Sequence, residues 1–124
     1  MREILFRGKQ KGIMNWVEGT GIFTDGINIW LSANEPNRPI AYGLKHKIVL
    51  SETVGQFTGM TDKNGKKIFE GDVVKIGSFM PGADDWVCAI DWDYSLFEEY
   101  KYVWKTKCEV IGNIHDNPEL LENP

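Results

Sequence analysis

Glycine divides this chain into short segments, and that division constrains the fold more than any other feature of the sequence. Thirteen glycines occur in 124 residues, and the segments between them are rich in the β-branched and aromatic residues that favour strands. No window of about twelve residues keeps the i, i+3, i+4, i+7 apolar spacing of an amphipathic helix. The sequence therefore predicts short strands joined by tight turns, as in a β-sandwich or barrel.

The predicted fold class is all-β, with mainly antiparallel strands in a partly open barrel or sandwich. At most one short helical turn is expected near the C-terminus, from Pro118 to Glu122, because proline suits the first position of a helix. The ten predicted strands are Glu3–Arg7, Met14–Glu18, Ile27–Leu31, Lys47–Leu50, Val54–Met60, Lys66–Phe69, Asp72–Ser78, Trp86–Trp92, Tyr100–Lys105 and Glu109–Ile114.

The chain length and the lack of a linker-like segment predict a single domain over residues 1–124. A chain of this size should bury roughly two-thirds of the surface that its unfolded form exposes, which is enough for an ordinary core. Within the domain, the sequence allows an N-terminal half, residues 1–50, packed on a C-terminal half, residues 53–122. The second half is SH3-like in its size and turn pattern.

The polar segment TDKNGKK has the composition of either a binding loop or a hairpin turn. Asp62 can begin a type I turn that continues through Asn64, and Gly65 then takes the position with positive φ. A calcium loop of the EF-hand type needs glycine at its sixth position and an acidic residue at its twelfth. Counted from Asp62, glycine comes fourth and Val73 comes twelfth. The segment is therefore predicted to be a structural turn.

A second tight turn is predicted in the segment EGDVV, where Gly71 reverses the chain and Asp72 begins the next strand. Two turns so close together favour a three-stranded antiparallel meander. Asp72 and Arg7 are polar residues within otherwise apolar segments. We interpret them as a buried salt bridge or turn brace, with a ligand site as the alternative.

Candidate catalytic residues are few. Asp91 and Asp93 share one face of a predicted strand, so a hydrolase that uses this carboxylate pair is the third hypothesis. A solvated acidic edge is the favoured interpretation, because no histidine or arginine stands at a suitable spacing. His46 stands among lysines and is expected to be an exposed loop residue. No cofactor, metal site or catalytic residue is predicted, and the protein is expected not to be an enzyme.

The two cysteines, Cys88 and Cys108, lie in strand-like segments at a spacing that matches no zinc-binding pattern. They are expected to be small buried hydrophobic residues in a reducing compartment, although a disulfide is open if they lie on facing strands. No apolar run approaches the ~20 residues of a membrane helix, and the first residues lack the apolar region of a signal peptide. We therefore expect a cytoplasmic protein without membrane contact.

An aromatic strand is the most informative candidate surface. In the segment YKYVWKTK, one face of the predicted strand carries Tyr100, Tyr102 and Trp104, and the other carries Lys101 and Lys105. Such a face suits a protein interface or a core, and it also suits base stacking in single-stranded nucleic acid. Because the net charge is −4, nucleic acid is disfavoured. A homo-oligomer or a protein partner is the first prediction, and single-stranded nucleic-acid binding is the alternative.

Four segments of the sequence resemble the YopX family, whose members are small proteins of bacteriophages and prophages. The segments are REILFRGK, WVEG, TVGQFTGMTDKNGKKIFEGDVVKI and EVIGNIHDNPELLE, in the order of the family and spread from Arg2 to Glu122. The resemblance implies a mostly β fold and a bacterial or phage cytoplasmic setting. It implies no established activity, so no catalytic residue is transferred. A non-catalytic accessory protein that acts by binding is the function we expect.

Overall fold

The computed structural model describes residues 4–34, 44–78, 80–90 and 105–121, and only the backbone of residues 33, 34, 44 and 45. It confirms the all-β fold class, because its elements are strands apart from short helical turns, and it shows mainly antiparallel pairing. The elements are β1 Phe6–Lys9, β2 Trp16–Gly19, β3 Gly21–Thr24, β4 Ile29–Asn34, β5 Leu44–Val49, η1 Ser51–Thr53, β6 Gly55–Thr61, β7 Lys67–Phe69, β8 Asp72–Ile76, β9 Trp86–Ala89, β10 Cys108–Asn113 and η2 Pro118–Leu121.

The strands form three antiparallel sheets with the orders β2-β1-β6-β7, β3-β4-β5 and β10-β8-β9. None of the three closes into a barrel within the described part of the chain. The chain divides into two compact units between Phe57 and Thr58, so that β6 begins in one unit and ends in the other. The division lies inside a strand rather than in a linker.

The N-terminal unit contains β1 to β5 and the beginning of β6. Gly8 lies close to Val49 in this unit, because a Cβ atom at its position would lie 3.0 Å from the Cβ of Val49. Only a residue without a side chain fits here without displacing the valine. The other core residues of this unit are Leu5, Leu31 and Phe57, each of which is buried.

The C-terminal unit contains the rest of β6, together with β7 to β10 and η2. Met60, Ile68, Val74, Ile90 and Cys108 form its hydrophobic core. Strand β8 lies at the centre of its sheet, and Asp72, Val73 and Val74 are buried one after another along it. A strand that is buried on both faces has the continuous apolar run seen in DVVKI rather than an alternating pattern.

Several elements differ from the sequence predictions. The predicted three-stranded meander is wrong, because β7 and β8 lie in different sheets. Strand β3, Gly21–Thr24, was not predicted, because four residues between glycines give too short an alternating pattern to recognise. The predicted strand Tyr100–Lys105 lies outside the described residues except for Lys105, which belongs to a helical turn over residues 105–107. That turn and η1 add two short helical segments to the predicted one, which is observed as η2, Pro118–Leu121.

Candidate interaction surface

The hairpin between β3 and β4 is held by a tight polar turn. The carboxylate of Asp25 accepts hydrogen bonds from the N–H groups of Asn28 at 2.7 Å and Ile27 at 2.9 Å, and Gly26 has a φ of +92°. These two N–H bonds, with a smaller contribution from the indole of Trp30, lower the pKa of Asp25. The turn therefore fixes the register that places β3 beside β4.

An aromatic face results from this register. Phe23 of β3 pairs with Trp30 of β4, which pairs in turn with Ile48 of β5. Ser32 of β4 pairs with His46 of β5 in the same way. Because residues two apart on a strand point to the same side of a sheet, Phe23, Trp30, Ser32, His46 and Ile48 share one side. We call these five residues the aromatic face.

The rings of the aromatic face touch one another. Those of Phe23 and Trp30 are nearly parallel, with centroids 6.1 Å apart, and the imidazole of His46 meets Phe23 edge-on at 5.3 Å. Phe23 is 46% exposed, and His46 is also exposed. The opposite side of the same sheet carries the buried residues Leu31 and Val49. The sheet therefore has one core side and one side with exposed aromatic rings.

The contact between Ser32 and His46 has the distance of a nucleophile and its base, since Ser32 Oγ lies 3.1 Å from His46 Nδ1. An activated serine also needs an oriented base and preorganised donors for the developing oxyanion. This pair lies on an open sheet side and its histidine is exposed. The contact is better explained as a cross-strand pair that orders the aromatic face.

The sequence predictions missed this face, and they were wrong about one member of it. His46 was expected in a loop, but it lies in β5 opposite Ser32. The dipeptide Asp25–Gly26 between the apolar pairs IF and IW is a hairpin signal that would have predicted β3, but the observed connection has the four residues Asp25–Asn28, so this signal does not give the pairing of Phe23 with Trp30.

The aromatic strand predicted as an interaction surface lies almost wholly outside the described residues. This holds for Tyr100, Lys101, Tyr102 and Trp104, and only Lys105 is described, as an exposed residue in a helical turn. The carboxylates Asp91 and Asp93 also lie outside the described part. Within it, no group of three or more His, Cys, Asp or Glu side chains is placed to hold a metal ion.

The predicted turn at TDKNGKK is a hydrogen-bonded hairpin connection. Oδ1 of Asp62 accepts from the N–H groups of Asn64 and Lys66, both at 2.9 Å, and Gly65 has a φ of +80°. Oδ2 accepts from the N–H of Val110 on β10 at 2.9 Å. Asp62 is therefore a brace that ties its own turn to a strand 48 residues away.

The electrostatics of Asp62 follow from these contacts. Burial raises the pKa of its carboxyl, but the N–H bonds from Val110, Lys66 and Asn64, together with the charge of Lys66, outweigh burial and lower it. The carboxylate is thus the form that the fold stabilises. The residue is 3% exposed, so little of it is accessible to a ligand.

The second predicted turn has a similar brace. Gly71 has a φ of +87°, and Oδ2 of the buried Asp72 accepts from the N–H of Phe69 at 2.8 Å, back across the turn. Asp72 also begins β8. Arg7, which the sequence suggested as a related polar residue, lies on β1 with its guanidinium carbon 4.8 Å from the centre of the Trp16 ring.

The two cysteines are free. Cys88 lies on β9 and Cys108 on β10, and β8 lies between these strands, so the cysteines do not lie on neighbouring strands. Burial, with the nearby negative charges of Asp62 and Asp72, raises the pKa of Cys108 to about 12, and burial also raises the pKa of Cys88. Such thiols stay protonated and are poor nucleophiles.

Together the fold and this surface define a class of protein. It is an all-β protein of short antiparallel sheets, whose buried carboxylates brace turns and whose described surface carries an exposed aromatic sheet side. The described residues contain no helix long and apolar enough to span a membrane.

The chain belongs to the YopX family, because the family model described as YopX protein matches residues 5–122. A similar solved structure is the crystal structure of protein EF1440 from Enterococcus faecalis, which is 24% identical. The match covers 98% of this chain and 100% of that one, with a TM-score of 0.58, and it shows a shared fold. No curated protein matches the sequence.

Proposed function

We propose that this YopX-family protein is a non-catalytic accessory protein that acts by contact with other protein chains, either copies of itself or a partner. The observation that carries the proposal is the aromatic face of the β3-β4-β5 sheet. Aromatic side chains are enriched in protein interfaces, because they provide a large contact area and lose little conformational entropy on binding. The phage or prophage setting is an expectation from the family resemblance.

The chemistry of the face supports a protein rather than a nucleic acid as its ligand. Its five residues comprise two aromatic rings, one isoleucine, one serine and one histidine, so it carries no permanent cation. Binders of single strands combine stacking rings with a basic groove that follows the phosphates. The acidic net charge of −4 opposes such binding. A role for Tyr100, Tyr102 and Trp104 in binding single strands stays the alternative.

A non-enzymatic role is proposed on related grounds. The buried carboxylates of Asp62 and Asp72 hold turns. The Ser32–His46 pair lies on an open surface. Substrates usually bind in concave sites that exclude water, which an open sheet side with an exposed histidine does not provide.

Size-exclusion chromatography with light scattering tests the proposal, at low and high salt and with or without a mixed-sequence oligonucleotide. We expect a species larger than the monomer that ignores the oligonucleotide and is weakened by Trp30→Ala. Trp86→Ala is the matched control, because Trp86 is a 73% exposed tryptophan on β9. A monomer that binds the oligonucleotide at low salt and releases it at high salt would overturn the proposal.

A further inference from the structure

The edge of the sheet at strand β3 is a feature separate from the aromatic face. In the sheet β3-β4-β5, strand β3 lies at one edge and pairs with β4 on its inner side. Ile22, Phe23 and Thr24 are all exposed. Among the described residues, no strand other than β4 pairs with β3.

Within the part of the chain that the structure describes, this edge lacks the devices by which proteins prevent strands from pairing. Native edge strands are usually protected by charged side chains, proline, a bulge or a covering segment. The sequence of β3 is GIFT, without charge or proline, and its four pairs with β4 run in regular register.

The other edge of the same sheet provides the comparison. Strand β5 has the sequence LKHKIV, with two lysines. The end of β1 also covers it, since Gln10 forms a bridge with Val49 and the N–H of Lys11 donates to the carbonyl of Ile48 at 2.9 Å. One edge of the sheet is therefore protected twice, whereas none of the described strands protects the β3 edge.

We infer that β3 pairs antiparallel with β3 of a second copy of this chain, so that two three-stranded sheets become one sheet of six strands. The inference rests on the proposed function and names its partner. A twofold axis perpendicular to the sheet relates the two strands, and it keeps the aromatic face of both copies on the same side.

Symmetry favours a second copy over a foreign strand as the occupant. With the axis at Phe23, the two Phe23 rings lie directly opposite each other, which is a favourable cross-strand aromatic pair. Ile22 then faces Thr24 of the other copy, and Gly21 faces Asp25. No like charges meet at this contact, although each chain has a net charge of −4. Each aromatic stack of Phe23 and Trp30 continues into that of the other copy.

The length of β3 limits the affinity. Four residues and a pair of aromatic stacks form a smaller contact than the roughly 1,000 Å² or more of stable interfaces. The dimer is therefore reversible and depends on concentration.

Sedimentation over a concentration series tests the pairing with charge variants at the symmetric position. Phe23→Lys and Phe23→Glu each place like charges directly opposite each other, which destabilises the pair. We expect each variant alone to weaken dimerisation by about tenfold or more. An equimolar mixture of the two should form a heterodimer, because lysine then faces glutamate. Ile27→Lys is the matched control, because Ile27 is 89% exposed beside β3 but lies in the turn.

Disulfide formation gives a second measurement that does not depend on tolerance of a charge. Phe23→Cys in oxidising buffer should yield a covalent dimer, and mass spectrometry should place the bond between residues 23 of the two copies. The wild type, with Cys88 and Cys108, is the control.

The outcomes separate this inference from the proposed function. A dimer that persists in both charge variants and forms no 23–23 disulfide would overturn the β3 pairing but would keep self-assembly through another surface. A wild type that stays monomeric throughout the concentration series would also overturn the pairing, and the edge would then suit a strand from another protein. Recovery of dimer in the mixed variants supports the pairing.

Discussion

The two units of this protein use the aspartates of their turns in different ways. In the C-terminal unit, the carboxylates Asp62 and Asp72 are buried and accept backbone hydrogen bonds. In the N-terminal unit, the polar turn at Asp25 is exposed and positions an aromatic face. The buried carboxylates specify a fold, because buried charges tolerate few alternative structures. The aromatic face instead leaves apolar area that another molecule can cover.

Asp62 is the residue whose substitution is expected to lower the stability most. Asp62→Ala leaves three backbone N–H groups without their acceptor, and we expect it to lower the free energy of unfolding by about 3 kcal/mol. Urea denaturation measures this change. Asp84→Ala, at an exposed aspartate, is the control and should stay within about 0.5 kcal/mol. Equal effects of the two substitutions would remove the distinction between brace and surface.

The same residue predicts a pH dependence. Because the pKa of Asp62 is lower in the folded than in the unfolded chain, its contribution is fully present above the unfolded value of about 3.9 and is lost as pH falls through the folded value. We therefore expect the stability difference between wild type and Asp62→Asn to narrow as pH falls from about 5 to about 2. A difference that stays constant over this range would show that ionisation of Asp62 does not contribute.

Asp72 tests whether the second turn is braced as the first is. Asp72→Ala removes the acceptor of the buried Phe69 N–H and should cost about 2 kcal/mol. Amide hydrogen exchange gives the local measurement. We expect the substitution to speed the exchange of the Phe69 amide more than that of the amides of the β3-β4-β5 sheet. Unchanged protection of Phe69 would contradict the brace.

Gly112 tests how closely the C-terminal turn packs on β10. A Cβ atom at this position would lie 2.5 Å from Oδ1 of Asn117 and 2.8 Å from Cδ1 of Leu120. Gly112→Ala must therefore displace these two side chains, including the Asn117 oxygen that accepts from the Asn113 N–H, and we expect a loss of about 1–2 kcal/mol in thermal denaturation. Gly77→Ala is the matched control, because its nearest neighbour would lie at an ordinary 3.6 Å. A larger loss of stability in Gly77→Ala than in Gly112→Ala would contradict the close packing at Gly112.

The smallest effect on stability is expected on the aromatic face. Phe23→Ala removes a half-exposed ring and should cost less than about 1 kcal/mol in urea denaturation, while it weakens self-association. If it destabilised the monomer as strongly as Asp62→Ala does, the aromatic face would be part of the core, and the comparison of the two units would fail.

The sequence by itself determined the class of the fold and the turns. The geometry of TDKNGKK depends on Asp62, Asn64 and Gly65, which lie within four residues of one another, so local chemistry specifies it. Frequent glycines and β-branched residues likewise exclude long helices. The sequence also indicated the family, because the segments that resemble YopX proteins are those in which turn-forming and strand-forming residues are densest.

Only the tertiary structure decided which residues meet from distant parts of the chain. The bond between Asp62 and the Val110 N–H joins residues 48 apart, and the aromatic face gathers Phe23, Trp30 and His46 from three strands. Strand order also separated Cys88 from Cys108 by placing β8 between them. Spacing along a chain reports which side of a strand a residue takes, but not which strand becomes its neighbour. That choice depends on the burial of the whole sheet.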